Sequence, residues 1–135
     1  MIDILRNVTS GYWWKQSADI FGNYIVWVGF EPDSQIYYCD INLNGAIGGC
    51  LENDDKIKVT NSFALKRDIV IFDSKLVWSE FDGSDFEIVG CDINLNGAIG
   101  GCLENDDKIW LTSNDFDDLD ADIFGRYVVW ESLEN

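Results

Sequence analysis

The sequence predicts an all-β chain: β-propeller-like blades of four antiparallel strands, about two and a half blades per chain. Three observations carry that expectation. Residues 39–57 read CDINLNGAIGGCLENDDKI, and residues 91–109 repeat the same nineteen letters at an offset of 52 residues. A second similarity runs through IFGNYIVW ending at Trp27, IFDSKLVW ending at Trp78 and IFGRYVVW ending at Trp130, with tryptophans 51 and 52 residues apart. Finally, no stretch sustains a 3.6-residue apolar period, while turn signals recur about every ten residues. An immunoglobulin-like sandwich has similar strand spacing, but it does not predict a 52-residue repeat.

Each unit has strand grammar. Asp19-Ile20-Phe21 is a short apolar run, and Gly22-Asn23 supplies a tight turn. Tyr24-Ile25-Val26-Trp27-Val28 is β-branched and aromatic throughout, as expected of a strand buried on both faces. Glu31-Pro32-Asp33-Ser34 is turn chemistry, matched by Asp82-Gly83-Ser84-Asp85 in the next unit. Ile36-Tyr37-Tyr38-Cys39 then forms a third strand and, after a long loop, Lys56-Ile57-Lys58-Val59-Thr60 a fourth. On this phase residues 1–18 hold an outer strand near Ile2 to Asn7 and a lead-in, and residues 19–67 form a first blade. Residues 68–118 form a second blade, and 119–135 the first two strands of a third. A ring therefore needs oligomerisation, or a longer chain of which this is part. The favoured assembly is a dimer completing a six-bladed ring, with two hybrid blades shared between copies.

Ile123-Phe124-Gly125-Arg126-Tyr127-Val128-Val129-Trp130-Glu131 and Ile109-Trp110-Leu111-Thr112-Ser113-Asn114 resemble TolB-type β-propeller repeats. The resemblance spans almost the whole chain but rests on strand and turn positions, which specify a blade and not an activity. It implies a periplasmic or extracellular protein-binding role, and its motif carries no partner residues to transfer. The chain departs from that pattern in the loop between third and fourth strands, which is longer and holds both cysteines of each unit.

Of 135 residues, 47% are hydrophobic and 14% aromatic, enough for a sizeable core. Twenty-five acidic against nine basic side chains leave a net charge of -16. That surface repels nucleic-acid phosphates and anionic membranes and suits cations. Histidine is absent, which removes imidazole bases, Ser-His-Asp and Cys-His systems and His-ligated zinc. The first residues, Met1-Ile2-Asp3-Ile4-Leu5-Arg6, lack a signal-peptide pattern, and no apolar run is long enough to span a membrane.

The repeated loop admits three functional readings beside a bland one, recent duplication without function. In the first, Asp40, Asn42 and Asn44 followed by Gly45 match the opening of a calcium loop, with Asp92, Asn94 and Asn96 as twin site. The match breaks at position twelve, where Leu51 stands and Glu52 comes one residue late. A looser β-type loop could close with Asp54 or Asp55, so Ca2+ is the candidate cofactor. In the second, Asn44-Gly45 turns a hairpin that sets Cys39 opposite Cys50, and the matched spacing of the repeated loop makes Cys91 and Cys102 the second pair. Each bridge would close a loop whose constraint is worth about 3 kcal/mol. Bridged and free thiols both stay open, redox compartment deciding. In the third, a four-cysteine zinc site, the ten-residue gap between cysteines is far from the usual ligand spacing.

Trp27, Trp78 and Trp130 share one strand position and are expected to pack between blades. Trp13 and Trp14, beside Tyr12 ahead of the first strand, are candidates for a ligand or partner, or for covering the end of the assembly. Residues 114–122, NDFDDLDAD, form the densest acidic run; the counterpart 61–68 carries Lys66 and Arg67 instead. A cation or basic partner fits there, against a solvated loop as the default. No carboxylate pair is singled out for glycosidase chemistry. The expectation is a non-catalytic, calcium-tuned module for assembly or recognition, binding protein or glycan. The alternatives are a glycan-processing or peptidase-gating propeller fragment, or a structural duplicated fragment without ligand.

Overall fold

A computed structural model describes residues 15–30, 33–41, 56–94, 102 and 108–134. Those residues contain strands and turns and no helix. They form three antiparallel sheets, each a simple meander, and none closes on itself. The first sheet runs β1 (Lys15–Phe21), β2 (Tyr24–Phe30), β3 (Ser34–Asp40) and β4 (Ile57–Lys58). The second runs β5 (Lys66–Phe72), β6 (Lys75–Phe81), β7 (Phe86–Asp92) and β8 (Ile109–Trp110). The third pairs β9 (Asp118–Phe124) with β10 (Tyr127–Ser132).

The first strand of each sheet reaches further back than its apolar letters indicate. β1 begins at Lys15, four residues before Asp19. A bulge explains why. Ser17, Asp68 and Asp120 occupy the same position in successive units, and all adopt φ near +55°, at 55°, 58° and 53°. Pairing skips a residue beside the first two, between Gln16 and Ala18 and between Arg67 and Val70. An extra residue flips the side-chain alternation, so the apolar period breaks inside a continuous strand. Aspartate and serine suit the place because short polar side chains tolerate left-handed backbone better than bulky ones. Side-chain oxygens of β1 tie neighbouring sheets together: Ile69 N donates to Ser17 Oγ at 2.8 Å, and Ile71 N to Asp19 Oδ2 at 3.0 Å.

The second strands carry the core. Alternation along β6 sends Leu76 and Trp78 to one face and Val77 to the other, and all three are buried. Leu76, Trp78, Ile69, Ile71 and Val89 pack against Val26, Val28, Ile36 and Val59 of the first sheet. On the opposite face Val77 and Ile88 meet Ala121 and Ile123 of the third. Sheets thus stack front to back, with β1 beside β5 and β5 beside β9. Phe21, Phe72 and Phe124, equivalent residues of the three first strands, form a tilted file with ring centroids 4.8 and 5.0 Å apart. No helix among the described residues is long and apolar enough to cross a membrane.

Candidate functional site

The repeat sets two sheet junctions side by side, and their chemistry is opposite. At the first, Thr60 Oγ1 accepts from Ile36 N and donates to Gln35 Oε1 at 2.6 Å. Gln35 Nε2 in turn donates to Ser62 O at 2.8 Å. Lys66 is buried beside them, and its ammonium donates to the carbonyls of Ser34, Ser62 and Ala64 at 3.2, 2.9 and 2.7 Å. Burial pushes the Lys66 pKa down to about 8.

Fifty-two residues on, the backbone repeats and the charges invert. Thr112 Oγ1 again accepts from the strand, here Ile88 N at 2.8 Å, but donates to a glutamate oxygen, Glu87 Oε2. Asn114 N donates to Glu87 Oε1 and Asn114 Nδ2 to Asp118 Oδ2, both at 2.7 Å. Asp118 stands where Lys66 stood and is 0% exposed. Burial alone would raise its pKa, but side-chain hydrogen bonding from its polar neighbours, Ser132 and Asn114 foremost, outweighs that and holds it below the usual value. Glu87 also lies with Asp82 and Asp85, their ligand oxygens all within 4.8 Å of one another. Asp85 is 8% exposed, and burial followed by the charges of Asp82, Glu87, Asp117 and Asp115 raises its pKa. Two carboxylate oxygens here, Asp85 Oδ1 and Asp118 Oδ1, are buried without a hydrogen-bond partner.

A second feature lies further out between the same sheets. Tyr24 and Tyr38 stack at 5.1 Å on the front of the first sheet and fill its contact with the second. Their counterparts are Lys75 and Gly90. With two rings gone, an apolar cleft of about 370 Å³ opens between Val77, Gly90, Ile109 and Leu111 on one wall and Ile123 and Val128 on the other. Beside it β10 has only β9 as neighbour, so its outer edge is unpaired among the described residues. Trp130 is 42% exposed there, whereas Trp27 and Trp78 are 2% and 0% exposed. Tyr127, Val129 and Phe124 are exposed as well.

Of the residues singled out by sequence, Cys91 and Cys102 come together at disulfide distance, with Cα atoms 5.8 Å apart. Cys39 is disulfide-bonded too. Asp40 and Asp92 end β3 and β7, and Asp92 Oδ1 accepts from Asn94 N at 3.0 Å. Asn42, Asn44, Asn96, Cys50, Trp13 and Trp14 lie outside the described residues. Asp82 and Asp85, read from the sequence only as turn formers, prove to be members of the acidic junction together with Glu87, which the sequence does not single out. Comparing Gln35 with Glu87 and Lys66 with Asp118 across the repeat would have pointed to them. No family model matches this chain, and no curated protein is significantly similar to it.

Proposed function

We propose that this chain is a non-catalytic assembly module of propeller type, in which the third sheet is completed by a strand from a second copy. One observation carries the reading. The tryptophan position that is sealed in the first two sheets stands open in the third, beside an unpaired strand edge and an apolar cleft. An added strand would satisfy the free N–H and C=O groups of β10 while its alternate side chains enter the cleft. Front-to-back stacking with first strands adjacent is the arrangement of neighbouring blades, which supports the propeller reading. A second copy is the favoured partner because its sheets already carry the face that this stacking uses. A bonded cysteine pair suits an oxidising, periplasmic or extracellular setting.

The test is molar mass in solution by light scattering, from micromolar to near-millimolar protein. The expected result is a concentration-dependent rise from the 15.3 kDa chain towards twice that mass. Val129→Arg, at an exposed position, should leave the melting curve intact and hold the protein monomeric. A wild type that stays monomeric throughout overturns the reading.

A further inference from the structure

We infer that the junction of the second and third sheets binds a calcium ion at the place where the preceding junction holds the ammonium of Lys66. The repeat itself supplies the argument. Matching backbone hydrogen bonds superpose the two junctions: Val59 N to Ile36 O recurs as Leu111 N to Ile88 O, both at 2.8 Å. Phe81 N to Leu65 O likewise recurs as Leu133 N to Asp117 O, both at 2.9 Å. The carbonyls that receive the Lys66 ammonium belong to Ser34, Ser62 and Ala64, so their counterparts are those of Phe86, Asn114 and Phe116. A cradle built for a cation is thus repeated, and the cation is not. In its place the chain puts acid. Gln35 to Glu87 makes the net charge more negative by one unit and Lys66 to Asp118 by two, three in all at one buried locus.

Buried carboxylates without a counter-charge are strongly disfavoured unless paired or bound to metal. Arg67 pairs with Asp68 and Lys108 with Glu80, and neither pair includes Asp82, Asp85, Glu87 or Asp118. The independent sign of a missing ligand is Asp118, completely buried with Oδ1 unpartnered, and Asp85 Oδ1 repeats it from the turn side. Every available donor is oxygen, carboxylate or carbonyl, which selects a hard cation. Several carboxylates with backbone carbonyls suit calcium, which takes six to eight such oxygens in flexible geometry, better than magnesium with its octahedron of retained waters. This site is distinct from the repeated loop at Asp40 and Asp92, and it does not depend on association between copies.

Chelator-stripped protein is titrated with calcium chloride by calorimetry, and its melting is followed with calcium, magnesium or chelator. The expected result is an ion bound through Asp118, with Tm raised by roughly 10 °C at about a hundredfold excess over Kd. Magnesium should act at least about tenfold more weakly. Asp118→Asn should weaken calcium by about ten- to a hundredfold. Asp118→Lys, which transplants the first junction's solution, should abolish the calcium response and melt in chelator near the temperature of the calcium-loaded wild type. Asp85→Asn gives a further folded variant should the lysine fail to fit, and it should melt higher than wild type in chelator while losing calcium affinity. Asp92→Asn should leave this ion in place. No calcium-dependent heat or melting shift overturns the inference. So does binding that survives Asp118→Asn unchanged, or binding that only Asp92→Asn removes.

Discussion

Trp78 has no exposed surface, yet its indole N–H is satisfied, donating to Glu80 Oε1 at 3.0 Å. Glu80 is buried in turn, and its other oxygen meets Lys108 Nζ at 2.6 Å. The chain from indole to carboxylate to ammonium is closed, so its middle member is the costly one to lose. Glu80→Ala should destabilise by about 3–5 kcal/mol in denaturant unfolding, because it strands a buried ammonium and an indole N–H together. Lys66 differs in having carbonyls and no close carboxylate as hydrogen-bond acceptors. Its folded pKa of about 8 lies below the ordinary 10.5, so the folded protein sheds this proton first as pH rises. The contribution of Lys66 to stability is therefore flat below pH 8, rises between about 8 and 10.5, and levels off above. Comparing wild type with Lys66→Met across that window isolates it: the difference in unfolding free energy should change with pH only there.

At the scale of elements, the bulge at Ser17, Asp68 and Asp120 is the repeated device that frames every sheet. Asp68→Val should cost about 1–2 kcal/mol, because a β-branched residue resists the left-handed region. Asp68→Gly should recover most of that loss, and thermal melts of the pair separate backbone strain from lost side-chain contacts. The bulge also marks where the sequence stopped being legible. Strands two and three of each unit could be read because Tyr24–Val28 and Ile36–Cys39 are uninterrupted apolar runs between clear turns. First strands look short in the sequence, since an inserted residue hides the alternation that continues behind it. Fourth strands shrink to Ile57–Lys58 and Ile109–Trp110, with Val59 and Leu111 still bonded to the neighbouring strand outside the regular ladder. The acidic junction was half legible: the run at 114–122 and its basic counterpart stood out, but Asp82, Asp85 and Glu87 reach it only through folding of a strand 31 residues earlier, as Phe86 and Asp117 show.

For the whole molecule, charge and apolar surface oppose each other. A chain of net charge -16 repels its own copies, while an open sheet edge beside exposed Tyr127, Val129 and Trp130 favours contact. Screening should decide the balance, since the Debye length falls from about 30 Å at 0.01 M salt to about 10 Å at 0.1 M. Sedimentation at fixed protein concentration should show the associated fraction growing with added sodium chloride. A fraction that falls with salt would mean that ion pairs, not buried apolar area, hold the copies together.

Tandem units that share a backbone and one nineteen-residue segment invite mis-threading, in which a strand settles one repeat away from its own place. The exchange of Tyr24 and Tyr38 for Lys75 and Gly90 works against that error. A slipped arrangement would drive two rings into a space already shaped for others, or leave a hollow where the rings belong. Units whose letters match one for one in a single loop are thus kept in order by two positions that do not match at all.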